Sequence, residues 1–224
     1  MHLFTSTVGR KILMAVTGLL LVGFITIHLI GNLTIFAGNE AINIYAAGLH
    51  SMPPVVWIFR LVILVLFAIH ITFGIQLTVE NSAATPEQYA IQVTQKTTFA
   101  AKSMIYTGLI ILAFILYHLL HFTMHVVHTD AIEPYNQLVN GRHNVFGMVG
   151  TSFQSAFITI AYAIAIIALA FHLTHGLQSF IQTLGWSNGP SQDKVSAIGK
   201  LVAIAYGVLY VAIPLAFLFH ILKV

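Results

Sequence analysis

The sequence predicts an all-α membrane protein: five transmembrane helices, N-terminus inside and C-terminus outside, forming one domain over residues 1–224. Three observations lead there. Of 224 residues, 58% are hydrophobic and only 7% charged, with mean hydropathy +0.91; a soluble domain carries about 25% charged residues. Five apolar runs reach the roughly 20 residues that a bilayer core requires. The few basic residues also divide unevenly between the two ends of those runs.

The first run, Ile12–Phe36, is free of charge from Lys11 to Glu40. It is too long for the core of a signal peptide and no small-residue cleavage site follows, so it reads as a retained helix. Asn39–Met52 places apolar residues at helical spacing and stops before Pro53-Pro54, which predicts a short helix lying along the interface. The second span, about Val55–Val79, carries only Arg60. Glu80–Lys96, with Ser, Thr and Pro86, reads as a polar loop leading into a helix. The third span is about Ser103–Val127, and a long connection, His128–Thr151, precedes the fourth at about Ser152–Gly185. Trp186–Lys194 contains Asn-Gly-Pro, a turn signal. Lys200 and Lys223 bracket the fifth span, Leu201–Leu222. No internal repeat stands out and no soluble domain fits between the spans.

With the N-terminus inside, Arg10, Lys11, Lys96, Lys102, Lys194 and Lys200 are cytoplasmic, and Arg60, Arg142 and Lys223 lie outside. That bias sets the expected orientation. It also accounts for the net charge of +3 without a nucleic-acid partner. The chain has no cysteine, which excludes disulfides, a protein-ligated iron–sulfur cluster and the thioether attachment of c-type haem. Haem held by axial ligation alone is compatible with this composition.

Twelve histidines are far more than lipid-facing helices need. A polar side chain in a membrane helix is costly and faces the bundle interior, with a partner. His28, His70, His118 and His172 stand deep in the first four helices, one on each. Depth sorts them. His28 lies four residues beyond the midpoint of its span, roughly 6 Å towards the outside. His70 lies about three residues, or roughly 4–5 Å, to the inside of its own midpoint. His118 matches His28 and His172 matches His70. Two b-type haems stacked across the membrane follow, the outer one on His28 and His118 and the inner one on His70 and His172. Bis-histidine ligation leaves no open iron position, so the expected chemistry is electron transfer. Gly23, Gly31, Gly74, Gly108 and Gly176 are candidates for lining the slots. The competing reading is a set of interhelical hydrogen bonds or a proton path.

His118, His121, His125 and His128 fall within about 80° of one another on a helical wheel, a stripe that could face the outer haem. His121 rivals His118 as ligand and His175 rivals His172. Both are expected instead to bond haem propionate, quinone or water. His2, His50, His143 and His220 read as interface, loop or helix-end residues. Propionates need cationic or hydroxyl partners; Arg10, Lys11, Lys96 and Lys102, with Ser6, are available inside, and Arg60 outside. Snorkelling to the interface is the plain alternative for each basic residue.

These residues carry a resemblance. Ser6-x-x-Gly9-Arg10-Lys11, Thr17-Gly18, His28-Leu29 with Asn32-Leu33, and Asn43-x-Tyr45 come first. His70 with Gly74, Thr107-Gly108 ahead of His118-Leu119, and His172-Leu173-x-His175-Gly176 running on to Gln182-Thr183-Leu184-Gly185 complete the series. In order and spacing the chain resembles the five-helix, di-haem cytochrome b subunit of succinate dehydrogenase and fumarate reductase, a bacterial inner-membrane anchor. The resemblance implies ligation by His28, His70, His118 and His172. It also implies a flavoprotein with covalent FAD and an iron–sulfur protein on the cytoplasmic face, and a membrane quinone (menaquinone or ubiquinone) as redox partner. Dicarboxylate chemistry would belong to the partner. Some relatives carry a glutamate two residues before the fourth-helix ligand, used in transmembrane proton movement; here that residue is Ala170. Others place a quinone-linked glutamate after the first helix, where this chain has Glu40, read here as an ordinary interfacial acid. Two further readings compete: the b-type anchor of a hydrogenase or formate dehydrogenase, and a haem-free proton or metal transporter.

Overall fold

The computed structural model describes residues 3–84, 99–187 and 189–224. Lys96, His2, Asn188 and most of the expected 80–96 loop lie outside them. Helix α1 (Thr7–Leu33) is capped by Ser6, whose Oγ accepts from the Gly9 amide at 3.0 Å. A 3₁₀ turn carries it on to Ala37, and Gly38, at φ +106°, turns the chain into α2 (Asn39–His50). That left-handed turn is open to glycine at little cost. Pro53 and Pro54 then open α3 (Pro53–Ala83), where a missing amide costs nothing.

After α4 (Phe99–Lys102), α5 (Met104–His118) runs into a π turn over Leu119–Thr123. A short helix α6 (Thr129–Ile132), a 3₁₀ turn and a two-stranded hairpin follow. In the hairpin, β1 (Leu138–Val139) pairs with β2 (Arg142–His143), and Asn140 and Gly141 both take the positive φ that a tight hairpin turn asks for. Helix α7 (Val145–Gln154) is capped by Asn144 Oδ1 on the Gly147 amide at 2.8 Å. Ser155, extended at φ −75° and ψ 118°, separates it from α8 (Ala156–Thr183). The last helix is α9 (Gln192–Leu218), with Pro214 buried inside it.

Among the described residues, five helical stretches are long and apolar enough to cross a membrane: Thr7–Ala37, Pro53–Ala83, Met104–Thr123, Ala156–Thr183 and Gly189–Leu218. Successive spans run antiparallel, since Thr17 meets His70 while Phe24 meets Phe59, and Thr107 meets His172 while Tyr162 meets His118. Helix α3 buries only Phe73 and Leu77 and turns Trp57, Ile58, Leu61, Leu64 and Val65 outward, as suits a face meeting lipid. The continuous apolar core gathers at the end of the bundle where α1 finishes. There Ile35, Ile42, Ile132, Phe146, Phe153, Ile213 and Phe217 pack together.

Several sequence expectations shift. The second helix runs on to Ala83, past the expected start of the loop at Glu80. The third stops at Thr123 rather than Val127, because the π turn ends it and His125 and His128 take positive φ. The four-histidine stripe is therefore not one helical face. The expected fourth helix divides at Ser155, and the connection before it is mostly structured, forming the hairpin and α7.

Candidate functional site

The four deep histidines meet in pairs. His28 on α1 and His118 on α5 have ring centres 5.9 Å apart, and His70 on α3 and His172 on α8 are 6.4 Å apart. An iron bonded at about 2 Å to one nitrogen of each of two opposed imidazoles sets the ring centres roughly 6 Å apart. Both ring planes can contain the metal axis at any rotation about it, so the interplanar angles of 89° and 65° are admissible. Thr17 touches His70 at 3.2 Å, and His28 lies eleven residues further along α1. The two levels are thus separated by roughly 16 Å along the helix. The pair closer to the start of α1, His70 with His172, is called the near pair, and His28 with His118 the far pair.

Around the near pair the two histidines have matching partners. Thr17 Oγ1 lies 3.2 Å from His70 Nδ1, and Thr107 Oγ1 lies 3.2 Å from His172 Nδ1. Among the described residues no hydrogen bond engages Nε2 of His70, His172 or His118, which leaves that nitrogen available to a metal.

The far pair is held differently. Tyr162 is buried, and its hydroxyl lies 3.2 Å from His118 Nδ1 and 3.1 Å from His121 Nδ1. His121 is fully buried, with its Nε2 unpartnered among the described residues. Its ring centre is 5.2 Å from that of His128, whose Nε2 bonds Tyr117 at 2.9 Å. His125 instead packs on Tyr135, at 4.7 Å. His28 departs from the simple pattern: its Nε2 lies 3.3 Å from Asn32 Nδ2. Turning that ring about its Cβ–Cγ bond exchanges Nε2 with Cε1 and frees the nitrogen. Behind His28, α9 is tied to α1 by Tyr210, which donates to the Ile25 carbonyl at 2.6 Å, and by a short Tyr206–Thr26 hydroxyl contact.

Small residues make room, although not entirely the expected ones. A Cβ at Gly18 would sit 3.1 Å from His70 Cε1, and one at Gly108 would sit 3.5 Å from His172 Cε1. Nothing lies within 4 Å of such an atom at Gly23 or Gly176, and Gly74 meets only Met14. Gly31 is no slot residue. The Tyr45 ring of α2 occupies the space its side chain would need.

The remaining candidates scatter. Arg10 pairs with Glu80 at 2.5 Å, and its Nε is buried without a partner among the described residues. Lys11 is exposed. His175 is half-buried one turn beyond His172 and joins neither pair. Arg60 is exposed, stacks over Trp57 at 5.2 Å and borders a cavity of about 170 Å³ shared with Asn32, Tyr45 and His50. Glu40 is occupied by Arg142 at 3.1 Å and by Asn140. Ala170 faces Gly207 of α9, where the two helices approach closely.

Sequence reading overlooked Thr17, Thr107 and Tyr162 as partners of the histidines. It also overlooked a repeat. Thr17-Gly18 precedes His28 by the same spacing at which Thr107-Gly108 precedes His118, and His70-x-x-x-Gly74 has its counterpart in His172-x-x-x-Gly176. Each pair joins equivalent residues of the two halves, as an approximate two-fold axis along the bundle would. The equal spacings were the available signal.

No family model matches this chain, and neither a curated protein nor a solved structure matches it.

Proposed function

We propose that this chain is a di-haem cytochrome b, the membrane anchor of a succinate:quinone oxidoreductase, carrying electrons between an iron–sulfur subunit and a membrane quinone. The observation that carries the haem reading is the pair of opposed histidines repeated at two levels, at 5.9 and 6.4 Å. The succinate:quinone assignment rests on the motif resemblance. A bound haem b supplies a one-electron carrier, and bis-histidine ligation closes its iron to oxygen chemistry.

In this reading His70 and His172 hold the inner haem and His28 and His118 the outer one. The unpartnered Arg10 Nε is a donor suited to a propionate carboxylate at the inner end, since charge-assisted hydrogen bonds are the stronger kind. Asn32, His50 and Arg60 line a cavity beside the far pair and would offer donors to a quinone carbonyl. Arg10, Lys11, Lys102, Lys194 and Lys200 favour a cytoplasmic location for the end where the chain begins. The flavoprotein and iron–sulfur subunits would dock there, on the cytoplasmic membrane of a bacterium. No carboxylate lies within α8 and Ala170 packs on α9, so this reading includes no proton route through that helix.

The detergent-purified chain should give a reduced-minus-oxidised b-type spectrum with two haems. His28→Ala or His118→Ala should remove one haem, and His70→Ala or His172→Ala the other. A colourless wild-type protein defeats the proposal. Co-purification with a nickel or molybdenum protein instead of a flavoprotein would keep the haems and reassign the complex.

A further inference from the structure

We propose that Thr17 and Thr107 are positioning residues that fix His70 and His172 as Nδ1–H imidazoles with Nε2 turned to the iron, and that they serve the near pair alone. The inference rests on the haem reading above and adds to it the residues that set ring tautomer and donor strength.

The number of protons at each contact decides the tautomer. A threonine hydroxyl has one proton to give. Thr17 Oγ1 is 2.7 Å from the Leu13 carbonyl and Thr107 Oγ1 is 3.0 Å from the Ser103 carbonyl, each one turn back on its own helix. A carbonyl can only accept, so each hydroxyl proton is committed there. The lone pairs of Thr17 Oγ1 and Thr107 Oγ1 are then what His70 and His172 meet at 3.2 Å. The Met14 and Met104 carbonyls, at 3.3 and 3.1 Å from the same hydroxyls, are further acceptors for that proton. Nδ1 must therefore carry the proton, and in a neutral ring Nε2 is left with its lone pair. Such an outer contact orients a metal-bound imidazole and raises its basicity.

Burial and repetition support the assignment. Both threonines are buried, at 3% and 8% exposure, so water does not compete for the contact. Gly18 and Gly108, the next residue in each case, let the imidazole lie against the helix. The same constellation occurs twice, on α1 with α3 and on α5 with α8. Among the described residues no threonine bonds the far pair: His118 Nδ1 meets Tyr162, and His28 meets Asn32.

The test uses the full chain with Thr17→Val and Thr107→Val, which remove the hydroxyl at nearly constant shape, and Thr17→Ser and Thr107→Ser, which keep it. Haem content, a potentiometric titration and the ferric low-spin electron paramagnetic resonance signals are read in each. Expected in the valine variants is one haem component shifted several-fold towards its ferrous form at fixed potential, with its resonance signal altered and the other haem unchanged. Loss of one haem, restored by serine, supports the proposal equally. Two haems with unchanged potentials and signals in both valine variants would overturn it. So would equal shifts in both haems, or a loss that serine does not restore. A purely structural role would lower stability without moving one haem's potential. A wild-type chain without haem would defeat the reading beneath this one, and the two failures are told apart by that control.

Discussion

Replacing Tyr162 with phenylalanine isolates the far pair. The change removes one oxygen and keeps the ring, so the edge contacts with Phe114 and Phe153, both at 4.9 Å, survive. What is lost is the hydroxyl between His118 Nδ1, at 3.2 Å, and His121 Nδ1, at 3.1 Å. If His118 ligates through Nε2, its Nδ1–H donates to the tyrosine oxygen, and the tyrosine proton passes to His121. Phenylalanine strands both nitrogens away from water, and each buried polar group left unmatched costs about 1–3 kcal/mol. The chain should melt earlier for that reason. On the haem reading, the His118 imidazole should also become a weaker donor, favouring the ferrous state of the far haem. A hydrogen bond worth ~1 kcal/mol, spent wholly on the difference between oxidation states, raises a one-electron potential by at most about 40 mV. A potentiometric titration of the purified protein reads both components at once: the far one should rise by up to that amount and the near one should stay. A near component that moves as far as the other would refute the separation of the two hydrogen-bond networks. So would a far component that does not move at all.

Two more outcomes follow from close packing and from one buried amide. On the haem reading, Gly18→Ala should disturb the near haem, since its methyl would press on the His70 ring at 3.1 Å, while Gly108→Ala, at 3.5 Å from His172, should be tolerated; haem stoichiometry separates them. Asn43→Ala should lower stability by about 1–3 kcal/mol, read as an earlier thermal transition, because the 1%-exposed Asn43 accepts from the Phe146 amide at 3.0 Å and pins α2 to α7.

The five spans and the short helix between the first two were legible because apolar length and punctuation reveal them: Pro53-Pro54 ends one element and opens the next. The pairing of His28 with His118 and His70 with His172 was legible from depth, since antiparallel helices of known rise put residues at computable heights. The break at Ser155 was not. Residues on both sides are apolar and helix-compatible, and a single extended residue leaves no compositional trace. The π turn at Leu119–Thr123 was equally silent, so a helical wheel carried His125 and His128 onto a face they do not share. Thr17 and Thr107 were hidden for a different reason. A threonine in an apolar helix already has the preceding turn's carbonyl to bond, and its second partner comes from another helix. Tyr162 likewise reads along the chain as one more aromatic in a span. Gly31 passed for slot space because only the folded α2 shows that Tyr45 fills it.

The uneven core bears on how such a protein matures. At the end where α1 finishes, α2, α7 and the last turns of α9 close over Ile35, Phe146 and Phe217 with side chains the polypeptide supplies itself. Towards the start of the chain, α3 leans on α1, and His70 and His172 face each other with Nε2 unclaimed by any described residue. On the haem reading both ends take a cofactor, but the end where α1 finishes has more packing of its own, and the near pair's half leans more on its haem for order. On the haem reading, cofactor delivery becomes the step that finishes the half nearest the docking face, so partner subunits would meet a completed surface only on a loaded anchor.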